Sequence, residues 1–132
     1  MKMKKLIQLT IFVLLATSSL VQGQSEVVDN IKTAMKSGSS KELSKYFSQN
    51  VDVTIDGDIQ PFSKTQAEYE LRDFFKNHVP DNFTIIHQGA SKGGLHFAIG
   101  QYISKSDTFR IFFRIKGSEG KYLIHEITID KE

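Results

Sequence analysis

Apolar residues at helical spacing in this 132-residue chain predict three helices. The second is short, capped by Ser39 or Ser40 and ended by Asn50. The third begins at Ser63, with Gln66 three residues later at the spacing of a capping box. The residues expected on the buried helix faces are Val27, Val28, Ile31, Ala34, Met35, Leu43, Tyr46, Phe47, Ala67, Leu71, Phe74 and Phe75.

A period of two predicts strands in the remainder of the sequence. Residues 51–55 alternate apolar with polar, and Asp56-Gly57 is typical of a hairpin turn into a short return strand that contains Pro61. Four further strands follow, joined by short turns that favour antiparallel pairing, at residues 83–88, 95–104, 108–116 and 122–129. The order of elements predicts an α+β domain, in which three helices pack on a curved antiparallel sheet.

Residues 1–23 have the order of an export signal. Lys2, Lys4 and Lys5 precede an almost wholly apolar stretch at 6–16, and Gly23 places a small residue at the expected cleavage position. The stretch is shorter than the roughly 20 residues that cross a bilayer. We therefore expect a signal peptide at 1–23 and a single exported, soluble domain at 24–132, located in the periplasm or outside the cell.

Charge and cysteine content narrow the classes of function. The three lysines of the signal leave 14 basic residues against 15 acidic residues in the mature domain, so neither nucleic acid nor a membrane surface is expected as a partner. The sequence has no cysteine, which excludes disulfides and thiolate ligands. Its four histidines have no metal-binding spacing, and no cofactor is predicted.

Five segments of the chain carry a resemblance to known proteins. They are Ile31-Lys32-Thr33-Ala34, Glu42-Leu43-Ser44-Lys45-Tyr46-Phe47, Val51-Asp52-Val53-Thr54-Ile55, Phe83-Thr84-Ile85-Ile86-His87-Gln88-Gly89 and Gly120-Lys121-Tyr122-Leu123-Ile124. With them the sequence resembles the nuclear transport factor two-like superfamily, the cone-shaped α+β fold of ketosteroid isomerases and SnoaL-like cyclases. Within it, the chain is most similar to a family of secreted bacterial proteins known as a domain of unknown function. The resemblance covers nearly all of residues 25–131 and implies the fold, but it carries no established activity.

Three polar side chains project from strand faces that are otherwise apolar. By strand alternation, His87 lies with Phe83 and Ile85, while His125 lies with Leu123, Ile127 and Ile129. Gln101 lies on the apolar face of residues 95–103. In the resembled fold this face lines a pocket under the helices, which makes His87, Gln101 and His125 ligand-binding candidates. The simpler interpretation is that each is a hydrogen-bonded core residue.

The opposite sheet face is predicted to carry Arg110, Phe112 and Arg114, with Tyr102 and His96 beside them. Arginine and aromatic residues are enriched at interface centres, and superfamily members commonly dimerise through this face. Arg110, Phe112, Arg114 and Tyr102 are therefore dimer-interface candidates, and Glu126 is a candidate partner for an arginine. A solvated sheet face is the alternative.

Three functions remain open from the sequence. The leading one is a non-enzymatic domain that binds a small ligand or a protein. The second is an enzyme with an acid–base histidine in an apolar cone, acting on a small hydrophobic substrate. The third is an interaction or structural module that works through its sheet face, with homodimerisation as one form.

Overall fold

The computed structural model describes residues 23–132 and has three helices and six strands in this range. Residues 1–22, most of the predicted signal peptide, lie outside it. The helices are α1 (Gly23–Ser37), α2 (Ser40–Ser44) and α3 (Lys64–Asn77). The strands are β1 (Phe47–Ile55), β2 (Asp58–Ser63), β3 (Asn82–Ala90), β4 (Leu95–Ser104), β5 (Asp107–Ser118) and β6 (Lys121–Lys131).

Local capping interactions begin α2 and α3 where the sequence predicts. The Ser39 hydroxyl accepts a hydrogen bond from the backbone N–H of Glu42 at 3.1 Å. At α3, the Ser63 hydroxyl accepts from Gln66 N, and the Gln66 side chain accepts from Ser63 N at 3.1 Å. These reciprocal bonds satisfy two backbone donors that a helix start leaves free. The capping box is therefore confirmed.

The predicted extension of the second helix to Asn50 is wrong. Helix α2 ends at Ser44, and β1 already begins at Phe47. Tertiary pairing outweighs helical spacing here, because the backbone N–H of Ile124 donates to the Tyr46 carbonyl at 2.6 Å and Phe47 lies beside Ile124 in the sheet. Phe47 is buried in either arrangement, so its burial could not distinguish them.

The six strands form one sheet in the order β2-β1-β6-β5-β4-β3. The meander from β3 to β6 is antiparallel, as predicted, and β1 pairs with β2 in the same way. Strands β1 and β6, however, pair in parallel. The sheet is thus mixed, which corrects the expectation of a purely antiparallel sheet. The helices and the curved six-stranded sheet make the domain α+β.

One sheet face, here called the inner face, contributes to a core shared with the helices. Ile31 and Met35 of α1 and Leu71 of α3 are fully buried in this core. The opposite side of the sheet is called the outer face. The buried inner-face residues of the meander strands include Phe83, Ala98, Tyr102, Phe109, Ile111, Phe113, Ile115, Ile124, Ile127 and Ile129.

Two bulges interrupt the alternation of the meander strands β3 to β6. In β3 the ladder passes from Ile85 to His87, so Ile86 is an extra residue. In β6, His125 is extra between Ile124 and Glu126. A bulge shifts side-chain alternation by one position on its strand. Residues beyond each bulge therefore lie on the face opposite to the one that strict alternation predicts.

Within residues 23–132, no helix combines the length and apolar character needed to cross a membrane.

Candidate functional site

A cavity of about 290 Å³ opens on the inner side of the sheet, next to α1. Val28 of α1 forms one wall, and the end of β3 with the start of β4 forms another. Ile115 of β5 and Tyr122 of β6 also line it. This space is called the inner cavity, and its lining residues are Val28, Gln88, Gly89, Ala90, His96, Phe97, Ile115 and Tyr122.

A histidine and a tyrosine lie side by side in this cavity. The rings of His96 and Tyr122 have centroids 5.3 Å apart in an edge-to-face arrangement. Tyr122 lies directly across from Gly117 in the β5–β6 ladder. A β-carbon at Gly117 would come within 2.6 Å of the Tyr122 ring, so the glycine allows this ring to lie against the strand. The pair gives the cavity an imidazole and a phenol beside apolar walls.

Phe97 of β4 likewise lies against a glycine, here on the edge strand β3. Gly89 is its cross-strand neighbour, and a β-carbon at Gly89 would lie 2.7 Å from the Phe97 ring. Phe97 lines the inner cavity and also a shallow depression of about 290 Å³. The lining of that depression is mainly apolar and consists of Ser91, Leu95, His96, Phe97, Ile99, Phe112 and Arg114.

The outer face combines aromatic contacts with an ion pair. The rings of Phe97 and Phe112 stack with centroids 6.3 Å apart, and His87 contacts Phe97 at 5.3 Å. The Arg114 Nε donates to a Glu126 carboxylate oxygen at 2.9 Å. Glu126, a candidate partner for an arginine of this face, thus pairs with Arg114 on the neighbouring strand of the same chain. The pair is partly exposed, so its contribution to folding is small.

His125 lies in the β6 bulge and is half-buried, not deeply buried among the isoleucines as alternation predicts. Its pKa is lowered from the ordinary value, first by burial and then by the positive charges of Arg114 and Lys116. The predicted face is wrong, because Ile124, and not Leu123, joins Ile127 and Ile129 in the core.

The pocket placement expected for His87 and Gln101 is also wrong. Gln101 pairs with Arg110, while its neighbours Gly100 and Tyr102 face the core. His87 follows the β3 bulge, pairs with Ile99 and is exposed. The structure therefore does not bring the three pocket candidates together in the inner cavity. A ligand-binding role for any of them stays untested.

Among the dimer-interface candidates, Tyr102 does not lie where alternation predicts. It is fully buried, and its hydroxyl donates to the backbone carbonyl of His78. Burial raises the pKa of the Tyr102 phenol well above its ordinary value, and the nearby Asp81 carboxylate adds to this. Arg110, Phe112 and Arg114 do alternate with the buried residues of β5 and lie on the outer face.

Alternation predicts His96 on the outer face with Tyr102, and it does not single out Tyr122 at all. Both His96 and Tyr122 line the inner cavity. Glycines inside strands are the sequence feature that could have indicated these cavity residues, because a glycine in a strand often marks a place where another group approaches closely. Gly89 and Gly117 have this role opposite Phe97 and Tyr122.

Within the described part of the chain, no group of three or more metal-ligating side chains comes together.

Comparisons with known proteins place this geometry in a family. Residues 28–130 match the domain of unknown function DUF4783. A search of curated proteins found no match. A DUF4783 family protein from Bacteroides ovatus is similar in structure, with a TM-score of 0.75 and 34% identity over 78% of this chain and 93% of that one. A second, from Bacteroides uniformis, has a TM-score of 0.74 and 34% identity, covering 79% and 95%.

More distant structures share the fold alone. An NTF-2 like protein of unknown function from Silicibacter pomeroyi has a TM-score of 0.63 at 15% identity, over 88% of this chain and 98% of that one. The expected superfamily resemblance is therefore confirmed at the level of fold. On the family match and the two relatives at 34% identity, the chain belongs to the DUF4783 family, with an NTF2-like fold.

Proposed function

We propose that this domain is an exported, non-enzymatic binding protein that holds a small, largely apolar ligand in the inner cavity. The observation that carries the proposal is the His96–Tyr122 pair, whose ring centroids lie 5.3 Å apart in a cavity also lined by apolar side chains, backbone and Gln88. Binding sites of this kind combine an apolar lining with a few polar groups that orient the ligand.

The size of the cavity limits the ligand. Its volume of about 290 Å³ is at the lower end of small-molecule sites, which span roughly 300–1,000 Å³. The ring of Tyr122 favours a flat apolar body through stacking or edge contacts. The Gln88 amide offers a hydrogen bond to one polar substituent. A mono- or bicyclic aromatic compound with one hydroxyl or carbonyl group fits these features.

Export is the second part of this proposal and rests on the basic and apolar order of residues 1–23. A soluble exported domain with a small binding cavity would act in the periplasm or outside the cell. A ligand reaching it there must be free in that compartment or carried by a partner protein.

The cavity can be tested with 1-naphthol as a probe, titrated into isotope-labelled protein and followed by NMR. Chemical-shift changes should cluster at residues of the inner cavity, such as Gly89 and Ile115. Val28→Phe should fill part of the cavity and weaken binding about tenfold or more, since lost apolar contact and steric exclusion act together.

Val27→Phe is the matched control, because Val27 is the neighbouring half-buried residue of α1 and does not line the inner cavity. It should leave probe affinity within about twofold. Shifts scattered over the surface, or equal effects of the two valine substitutions, would contradict a site in the inner cavity.

A further inference from the structure

A second and larger cavity lies between α1, the start of β1 and the β5–β6 turn. Its volume is about 680 Å³, and among the described residues it shares only Tyr122 with the inner cavity. This space is called the lysine groove. Its lining residues are Glu26, Val27, Asn30, Lys45, Tyr46, Phe47, Ser48, Gln49, Lys64, Gly120, Lys121, Tyr122 and Leu123.

The parallel ladder of β1 with β6 breaks beside this groove. In β1 four residues, 48–51, separate two paired positions that His125 alone separates in β6. Extra residues on one strand of a pair make that strand bend locally. Ser48 and Gln49 belong to this bend, and in the described sheet neither is paired with β6 or with β2. The bend therefore leaves these two polar residues at the groove instead of in the ladder.

Three lysines from three different elements line the groove. Lys45 is the C-cap of α2, Lys64 is the first residue of α3, and Lys121 is the first residue of β6. Lys45 already pairs with Glu42 at 3.0 Å. Within residues 23–132, neither Lys64 nor Lys121 forms an ion pair. Two ammonium groups at one cavity are therefore available to an anion.

Lys64 is the more informative of these two lysines, because it is half-buried. A charge that loses part of its contact with water costs free energy unless a group of opposite charge compensates for the loss. Glu26 is the one carboxylate among the described lining residues, and it does not pair with Lys64. An anionic ligand in the groove would supply the missing partner.

The rest of the lining favours a ligand with several hydroxyl groups. Asn30, Ser48 and Gln49 carry amide and hydroxyl groups, and none of these side chains hydrogen-bonds to another described residue. Such groups both donate and accept hydrogen bonds, as the hydroxyl groups of a sugar do. Tyr46 and Tyr122 add aromatic rings, whose apolar faces can cover the C–H groups of a sugar ring.

We propose that the lysine groove binds a small polyhydroxylated anion, such as a sugar phosphate or a sugar acid. Lys64 and Lys121 neutralise the phosphate or carboxylate as point charges, while the amide and hydroxyl side chains bind the hydroxyl groups of the ligand. The volume of about 680 Å³ lies within the roughly 300–1,000 Å³ of small-molecule sites, so a whole sugar fits. The groove is a separate site from the inner cavity and does not require an apolar ligand there.

The probes are glucose 6-phosphate and glucuronate, with glucose and inorganic phosphate as controls, each titrated into the protein by calorimetry and NMR. At least one of the two anionic sugars should bind with a dissociation constant below about 1 mM, and about tenfold more tightly than either control. The sugar that binds more tightly identifies the anionic group as phosphate or carboxylate. Chemical-shift changes should cluster at groove residues such as Ser48, Gln49 and Gly120.

Charge-removing variants then locate the site. Lys64→Gln should weaken binding of the anionic sugar about tenfold or more, and the exposed Lys121→Gln about threefold. Lys32→Gln is the matched control, since Lys32 is a half-buried lysine of α1 outside the groove lining, and affinity should change less than about twofold. Glu26→Gln should strengthen binding about twofold, because it removes a carboxylate from the groove. Circular dichroism and thermal melts verify that each variant is folded.

Four results would overturn the proposal. The first is no binding of either anionic sugar at about 10 mM. The second is an equal loss in Lys64→Gln and Lys32→Gln, which would indicate attraction to the whole domain and not to the groove. The third is inorganic phosphate that binds as tightly as glucose 6-phosphate, which would exclude recognition of hydroxyl groups. The fourth is a loss in Val28→Phe as large as that in Lys64→Gln, which would place the probe in the inner cavity.

Discussion

At the scale of single residues, strand glycines determine where aromatic rings lie in this domain. At three glycines inside strands, a β-carbon would clash with an aromatic ring of a neighbouring strand. Glycine normally weakens a strand, since it adds backbone freedom and no packing. Here its cost is offset by ring burial or by the shape of the inner cavity. The pairs are Gly89 with Phe97, Gly100 with Phe83, and Gly117 with Tyr122.

A single histidine in the β6 bulge gives the domain a specific pH dependence. The pKa of His125 is lowered by burial and by the charges of Arg114 and Lys116. The unfolded chain, whose histidine pKa is about 6.5, therefore binds more protons than the folded chain in the interval below 6.5. The stability associated with neutral His125 is fully present above this interval and is lost as the pH falls through the folded pKa.

We expect NMR titration to give His125 a pKa below about 6.5, and His125→Gln to reduce the slope of stability against pH in urea unfolding between about pH 5 and 7.5. His87→Gln, the same change at an exposed histidine of the sheet, is the matched comparison and should alter the slope less. A His125 that titrates at or above about 6.5 would show that burial and the two cations do not determine its protonation.

At the scale of elements, strand β4 carries apolar residues on both faces, and packing determines which face lies against the core. Ala98, Gly100 and Tyr102 face the core, although the opposite face carries Leu95, Phe97 and Ile99. The small residues lie inside because the Phe83 ring occupies the space over Gly100, and Phe113 is the cross-strand neighbour of Ala98.

Gly100→Ala should therefore destabilise the protein by about 2 kcal/mol or more, because the added methyl group enters the space of the buried Phe83 ring. Gln101→Ala, the adjacent outer-face change, should cost no more than about 0.5 kcal/mol. Urea denaturation of both variants measures the difference. Equal losses, or a larger loss at Gln101, would mean that β4 presents its other face to the core.

The sequence predicted all three helices, all six strands and the meander, because apolar spacing and turn residues report local structure directly. The sheet face on which each side chain lies was harder to predict, because one inserted residue reverses the faces of the residues that follow it on the strand. The bulges at Ile86 and His125 defeat simple alternation near His87 and Leu123. On β4 the more hydrophobic face is the outer one. A pocket under the helices was expected, but His96 was not predicted to line it, because His96 lies on the face that looked polar.

At the scale of the whole molecule, the boundary between signal and domain can be measured. Helix α1 begins at Gly23, the last residue of the predicted signal peptide. We expect the exported protein to begin at Gln24, since residues 1–23 have the basic, apolar and small-residue order of a cleaved signal. N-terminal sequencing of protein recovered from the producing cell checks this, and Met1 retained in the mature form would disprove it.

The parallel pairing of β1 with β6 also has a consequence for biosynthesis. Of the six strands β6 is made last, yet it lies between β1 and β5 near the middle of the sheet. Until it leaves the ribosome, β2 and β1 have no edge of the meander to join, and the core of α1 and α3 stays incomplete. Because contacts so distant in sequence form late and slowly, we expect the nascent domain to stay unfolded until β6 has been synthesised. For an exported precursor, that delay would preserve the extended state that a translocation channel can thread.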